Sequence, residues 1–204
     1  MPFPPETLEA KIARVLADRI EITPYNPDWP RLFDEEKARL FSIAPPGLLL
    51  RMEHIGSTAV PGLAAKPIVD LLVTAASLEG VKQTLVPLLE AQGCDYFWRP
   101  THGDDGPPWY AWFIRRNGNG QRTHHIHIVE DTPEFAGHQE RILFRNHLRE
   151  YPETAASYEK VKRTLAEEFP EDRVHYTRGK NAFILEVMET IHKTAAPNRS
   201  SSHR

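Results

Sequence analysis

Two stretches of this chain carry residue types and spacings suited to chemistry. The first is Gly56-Ser57-Thr58, followed by the run Pro67-Ile68-Val69-Asp70-Leu71-Leu72-Val73. A continuous apolar, β-branched run of that length reads as a strand buried on both faces. Asp70 is the one acid inside it. A buried carboxylate without a partner costs on the order of several kcal/mol, so Asp70 needs a cation, a set of hydrogen-bond donors or a metal. Gly56 and Ser57 offer backbone N–H groups and a hydroxyl where the chain turns, which suits a phosphate. The second stretch is Arg122-Thr-His-His-Ile-His-Ile-Val129. Alternation along a strand points His125 and His127 one way and His124 and Ile126 the other. Two imidazoles at i, i+2 on one face can share a metal or a phosphate. His124 reads as structural. Val129 stands where the third histidine of an alternating His-apolar-His-apolar-His tract would fall. The chain is short for the barrel of a metal-dependent hydrolase.

The elements that must position these residues follow from periodicity. Leu8, Ile12, Val15 and Leu16 predict a short amphipathic helix over 6–19. Ile20-Glu-Ile22 could be a strand. Asp28 stands where an N-cap would precede Trp29-Pro30, and the helix runs to about Ile43 with Leu32, Phe33, Leu40 and Phe41 inward. A first strand covers about Leu49 to Ile55. Thr58 to Ala65 reads as one irregular helical turn, broken by Pro61-Gly62. Val81, Leu85, Leu88 and Leu89 predict a helix over Leu78 to Ala91, with Gly93 ending it. Cys94 to Trp98 is a strand, and Pro100 to Pro108 a loop. Tyr110 to Arg115 and Arg122 to Val129 form a hairpin through Asn117-Gly-Asn-Gly120. Three helices follow, over Pro133 to Leu148, Pro152 to Phe169 and Thr177 to Lys193. Ala195 to Arg204 reads as a disordered tail. The chain thus divides into an N-terminal helical extension (1–19), one domain (20–194) and the tail (195–204).

Composition narrows the classes of function. The chain has 204 residues and a net charge of −3 at pH 7, so it lacks the basic footprint of a duplex nucleic-acid binder. Cys94 is the sole cysteine, which excludes an intrachain disulfide and a thiolate zinc cage. No apolar run approaches the roughly 18 residues of a membrane span. Met1-Pro-Phe-Pro-Pro5 does not have the basic-then-apolar order of a secretory signal, so a cytoplasmic location is the expectation. Oligomeric state is not legible.

The run Glu53-His-Ile-Gly-Ser-Thr-Ala-Val-Pro-Gly-Leu-Ala-Ala-Lys-Pro-Ile-Val-Asp70 resembles the signature of the GrpB family, a branch of the nucleotidyltransferase superfamily. Tyr25 to Trp29, His124 to Ile128, Leu143 to Arg149 and Tyr176 to Ile184 agree with it in order, so the resemblance spans roughly residues 20 to 192. It implies an α/β (α+β) fold: a nucleotidyltransferase-like core with a short mixed β-sheet, helices packed on one side of it and a helical C-terminal part. A domain of this kind is also found fused to dephospho-CoA kinases.

The resemblance also implies roles. In the superfamily the Gly-Ser turn holds nucleotide phosphates, and Asp-x-Asp with a third acid holds two Mg²⁺ ions. Gly56 and Ser57, with Thr58 beside them, match the turn, and Asp70 matches the first metal ligand. Leu72 stands where the second acid belongs. His125 and His127 stand where a later strand supplies the third. One aspartate with two imidazoles suits Zn²⁺, Mn²⁺ or Fe²⁺ better than Mg²⁺. Trp109-Tyr-Ala111 fills a region where the family commonly carries an arginine. Lys66, Arg145 and Lys180 lie inside family-like blocks and are the expected phosphate contacts. Two readings of function follow. One is a divergent nucleotidyltransferase that binds a nucleotide or phosphorylated small molecule with a divalent metal, using Asp70, His125 and His127. The other is a non-catalytic module binding a nucleotide or CoA precursor. A metal-dependent phosphoester hydrolase is a weaker third.

Overall fold

A computed structural model describes residues 7–101 and 106–195. The middle of the expected 100–108 loop, and the expected tail beyond Ala195, lie outside the described residues.

Five strands form one mixed sheet: β1 (Leu49–Ile55), β2 (Val69–Ala75), β3 (Asp95–Pro100), β4 (Trp109–Arg116) and β5 (Arg122–Glu130). Their order is β1-β2-β5-β4-β3. β2 and β5 run parallel, and every other neighbouring pair is antiparallel. A parallel pair cannot be closed by a hairpin. Here the helical run at 78–91 and the strands β3 and β4 make the crossover. The apolar run around Asp70 is therefore an inner strand, buried along nearly its whole length.

One face of the sheet is covered by α2 (Trp29–Ile43), which follows α1 (Leu8–Ala17), and by α3, the helical run at 78–91. Trp29, Phe33, Leu40, Val81, Leu85 and Leu89 pack there in one core with Leu71, Val73, Phe113, Ile126 and Ile128. Each large apolar side chain fully buried in this way contributes roughly 1.5–3 kcal/mol. Glu36 of α2 is also buried on this face, between Arg39 and Arg115. The 78–91 run passes through a π-helical turn (Val81–Leu85) before Pro87. Proline has no N–H to give, so the ladder shifts around it. Gly93 closes the run at φ 81°, with its N–H on the Glu90 carbonyl.

The other face is bordered by the C-terminal helices: α4 (Glu140–Glu150), α5 (Pro152–Glu168), α6 (Arg173–Gly179) and α7 (Asn181–Ala195). Val60 and Leu63, just after the glycine-serine turn, pack with Leu148 and Tyr158 in a second core. That contact ties the turn to the helices.

Several expectations shift. Ile20 to Ile22 forms no strand: the Ile20 N–H bonds the Pro170 carbonyl, and only Thr23 bridges, to Ala65. Asp28 precedes α2 but makes no side-chain cap. Phe41 and Leu88, expected inward, are about two-fifths exposed. The turn after Gly56 is a 3-10 helix only over Ser57–Ala59. The helix expected from Pro133 begins as a 3-10 segment (Pro133–Gln139). The last expected helix is two, α6 and α7, parted at Lys180. Asp172 starts α6 by accepting from the Val174 and His175 N–H groups.

Candidate functional site

Sheet register does most of the placing. Asp70 on β2 stands opposite His125 on β5, and Leu72 stands opposite His127. Side chains that alternate along paired strands in this register emerge on one face. Asp70, His125 and His127 accordingly meet on the face bordered by the C-terminal helices, while His124 lies on the packed face against the Leu32 carbonyl. His125 Nδ1 is 3.0 Å from Asp70 Oδ1, and His127 Nε2 is 4.0 Å from the same oxygen. Ligand atoms of all three residues lie within 4.8 Å of one another.

The glycine-serine turn closes directly onto this group. Gly56 has φ 73° and ψ −174°, and a Cβ built on it would stand 2.6 Å from Asp70 Oδ2. No residue with a side chain fits that approach, and few tolerate that backbone. Ser57 is partly exposed beside it.

Electrostatics keep the three groups in the forms that bind cations. Burial pushes His125 down to about 4 against the pull of its bond to Asp70. Burial, with Arg141 and Arg99 nearby, holds His127 well below the ordinary histidine range. Burial would raise Asp70, but the His125 bond and the charges of Lys66 and Arg141 outweigh it, so the carboxyl is held low. An ionised carboxylate only accepts. His125 therefore donates Nδ1–H to Asp70 and keeps its lone pair on Nε2. His125 Nε2 and His127 Nδ1 are both buried and have no hydrogen-bond partner among the described residues.

Cations surround the cluster. Lys66 Nζ lies 5.1 Å and Lys180 Nζ 4.7 Å from the centroid of the Tyr176 ring. Neither lysine has an ion-pair partner among the described residues. Burial lowers Lys66 well below the lysine range, with Lys180 and Arg173 adding to it. Burial likewise brings Lys180 down to about 8, while Asp70 opposes the shift. Asp70 thus influences both lysines, and the lysines crowd one another. An anion placed between them relieves that repulsion.

Two of the expected phosphate contacts are engaged elsewhere. The Thr58 hydroxyl is buried between His54 Nε2, at 3.0 Å, and the Ile68 carbonyl. Arg145 is buried with its guanidinium on the His54 carbonyl at 2.6 Å, Glu53 at 2.8 Å and Asn146. It anchors α4 to β1. Arg141, one turn earlier, acts on Asp70 and His127 instead. Tyr176, Trp112, Tyr110 and Arg99 complete the surroundings and did not emerge from sequence patterns. Alternation in β4 puts Tyr110 and Trp112 on one face, but only the hairpin register shows that it is the face of His127. The guanidinium carbon of Arg99, on β3, lies 4.6 Å from the Trp112 ring centroid.

One carboxylate and two neutral imidazoles with ligand atoms within 4.8 Å of one another fit a divalent metal of the Zn²⁺ or Mn²⁺ kind. The residues that would hold it are Asp70, His125 and His127.

Fold and site define an α/β protein with a five-stranded mixed sheet, a carboxylate–imidazole cluster on one face and a helical C-terminal part. The chain belongs to the GrpB family, whose sequence profile, described as GrpB protein, matches residues 19–190. It is 36% identical over 193 residues to a UPF0157 protein of Pseudomonas aeruginosa, covering 92% of this chain and 74% of that one. The crystal structure of GrpB from Enterococcus faecalis is similar with a TM-score of 0.70 at 34% identity, over 85% of this chain and 98% of that one. A dephospho-CoA kinase of Mycolicibacterium paratuberculosis is 28% identical over 205 residues, covering 92% of this chain and 49% of the kinase. Among the described residues no helix is long and apolar enough to cross a membrane.

Proposed function

We propose that this protein binds a nucleotide or another phosphorylated small molecule at a divalent metal held by Asp70, His125 and His127, and acts as a divergent nucleotidyltransferase. The observation that carries the reading is the three ligand atoms within 4.8 Å, beside two lysines that have no ion-pair partner among the described residues. A bound divalent metal supplies Lewis acidity toward a phosphoryl oxygen. The protein's own residues do the rest. Lys66 and Lys180 bind the phosphate charge. The Gly56–Ser57 turn borders the ligand and fixes Asp70. In the metal-free protein Asp70 orients His125 by accepting its Nδ1–H; a metal held by all three residues would take the place of that proton, with the ring hydrogen carried on Nε2 instead.

A second reading, a binding module without turnover, is favoured by Leu72. It stands opposite His127 at the position where a second acid would serve two-metal transfer. The dephospho-CoA kinase relative makes a CoA precursor a ligand to test.

The experiment is titration calorimetry with ATP and with a CoA precursor in Mg²⁺, Mn²⁺ and Zn²⁺, joined to an assay for released pyrophosphate. Metal-dependent binding with pyrophosphate release, both lost in Asp70→Asn, supports the transferase. Metal-dependent binding without release supports the module. Binding indifferent to metal and to Asp70→Asn overturns the metal-centred reading.

A further inference from the structure

Most arginines near the sheet are committed to partners. Arg39 and Arg115 hold Glu36, Arg116 and Arg122 hold Asp18, and Arg145 holds Glu53. Arg99 and Arg141 differ: among the described residues neither makes a hydrogen bond or an ion pair. Both sit around His127. Arg99 is exposed on β3, opposite Tyr110 of β4. It lies over the Trp112 ring, which itself stacks on His127 at 6.2 Å between centroids. Tyr110 also stacks on His127, with 5.7 Å between the centroids. Arg141 opens α4 one turn before Arg145, whose side chain is fixed on β1, and residues four apart on a helix share a face.

Arg99 is remote from the lysine pair. Lys66 leads into β2, and Arg99 lies on β3, three strands away in the order β2-β5-β4-β3. Strand spacing of about 4.8 Å makes that about 14 Å, and about 10 Å once the guanidinium leans back over β4. A single phosphate group cannot reach both ends. The charge environments meet at Asp70, on which Lys66 and Arg141 both act, while Arg99 acts with Arg141 on His127.

We propose that Arg99 and Arg141 form a second anion subsite, so that the ligand carries two acidic groups, one held by Lys66 and Lys180 and the other by the two arginines, with Asp70, His125 and His127 between them. This rests on the reading of the centre as a phosphate site and narrows its ligand class. The forked guanidinium accepts a phosphate or a carboxylate equally well. Stacking on Trp112 holds the Arg99 fork in place before the ligand arrives.

Three probes test it in the presence of Mn²⁺: hexyl phosphate, hexanediol bisphosphate and the phosphate ester of hydroxyhexanoate. At least one diacid is expected to bind about tenfold tighter than hexyl phosphate, and which one gains identifies the second group as phosphate or carboxylate. Arg99→Gln and Arg141→Gln should each remove that gain, bringing the diacid's affinity down to that of hexyl phosphate measured on the same variant. Lys180→Gln should weaken all three probes alike. Equal affinity for the three probes overturns the inference. So does an arginine variant that weakens hexyl phosphate as much as the diacid. If hexyl phosphate binds, and that binding is lost in Asp70→Asn while the diacids show no gain, the second subsite falls and the phosphate reading stands. If no probe binds, both fall.

Discussion

Gly56 and Asp70 are packed so closely that a single added carbon on the glycine would stand 2.6 Å from the carboxylate oxygen. The turn and the acid therefore form one unit, and the turn cannot change residue type without moving the acid.

Gly56→Ala is expected to destabilise the protein by about 1–3 kcal/mol through its backbone conformation alone, and to weaken metal binding by displacing Asp70. Gly62→Ala is the control. Gly62 also has positive φ, at 80°, but a Cβ there meets nothing within 4 Å. It should lose stability without losing metal. Thermal denaturation and metal titration of the two variants separate strain from site damage.

Arg145 and Lys180 should part company under mutation. Arg145→Met leaves the His54 carbonyl without its charged donor and should cost roughly 1.5–3 kcal/mol of stability, read by urea denaturation. Phosphate affinity of the folded variant should be nearly unchanged. Lys180→Gln removes a cation that burial and neighbouring charge disfavour. It should leave stability level or raised while phosphate affinity drops. The reverse pattern would return Arg145 to the ligand site.

The metal-free protein should lose stability on mild acidification. His125 and His54 are each held by burial at about 4 against an ordinary 6.5. Unfolded, both rings take up protons as pH falls through about 6.5; folded, they resist until about 4. The unfolded state thus binds more protons across that window. Stability should be greatest above its upper edge, fall through it and level off below it. Urea midpoints measured at pH 7 and pH 5 check the sign, and His54→Gln should make the slope shallower.

Glu36 tests the opposite face. Its carboxylate is fully buried between Arg39 and Arg115. Burial pushes its pKa up, but the two arginines more than offset that and hold it low. Glu36→Ala leaves these partly exposed charges without their shared partner and should cost about 1–3 kcal/mol. Metal affinity of the folded fraction should be retained, because the sheet separates Glu36 from Asp70. Chemical denaturation with parallel metal titration reads both quantities.

Much of the site was legible before folding because alternation is local. The sequence around His125 and His127 places both rings on one face of a strand whatever that strand pairs with. The acid in an apolar run marks Asp70 as needing a partner, and Asn117 to Gly120 marks the hairpin. Family-like blocks show which positions matter and not whether each binds ligand or braces the fold; the contacts of Thr58 and Arg145 to His54, Ile68 and Glu53 come only with the tertiary structure. Arg99 and Tyr176 stayed hidden because nothing near them in sequence links them to His127 or Lys66.

The sequence alone determined the strands, the hairpin, the shared face of the two histidines and the family. Those features depend on residues a few positions apart, where steric and turn preferences act directly. Only the tertiary structure decided that β5 inserts beside β2, parallel and in register, so that His125 meets an acid 55 positions earlier. It alone returned Tyr176 and Lys180 to the mouth of β2. Such pairings depend on which apolar faces bury one another best across the whole chain, and no local pattern encodes that choice.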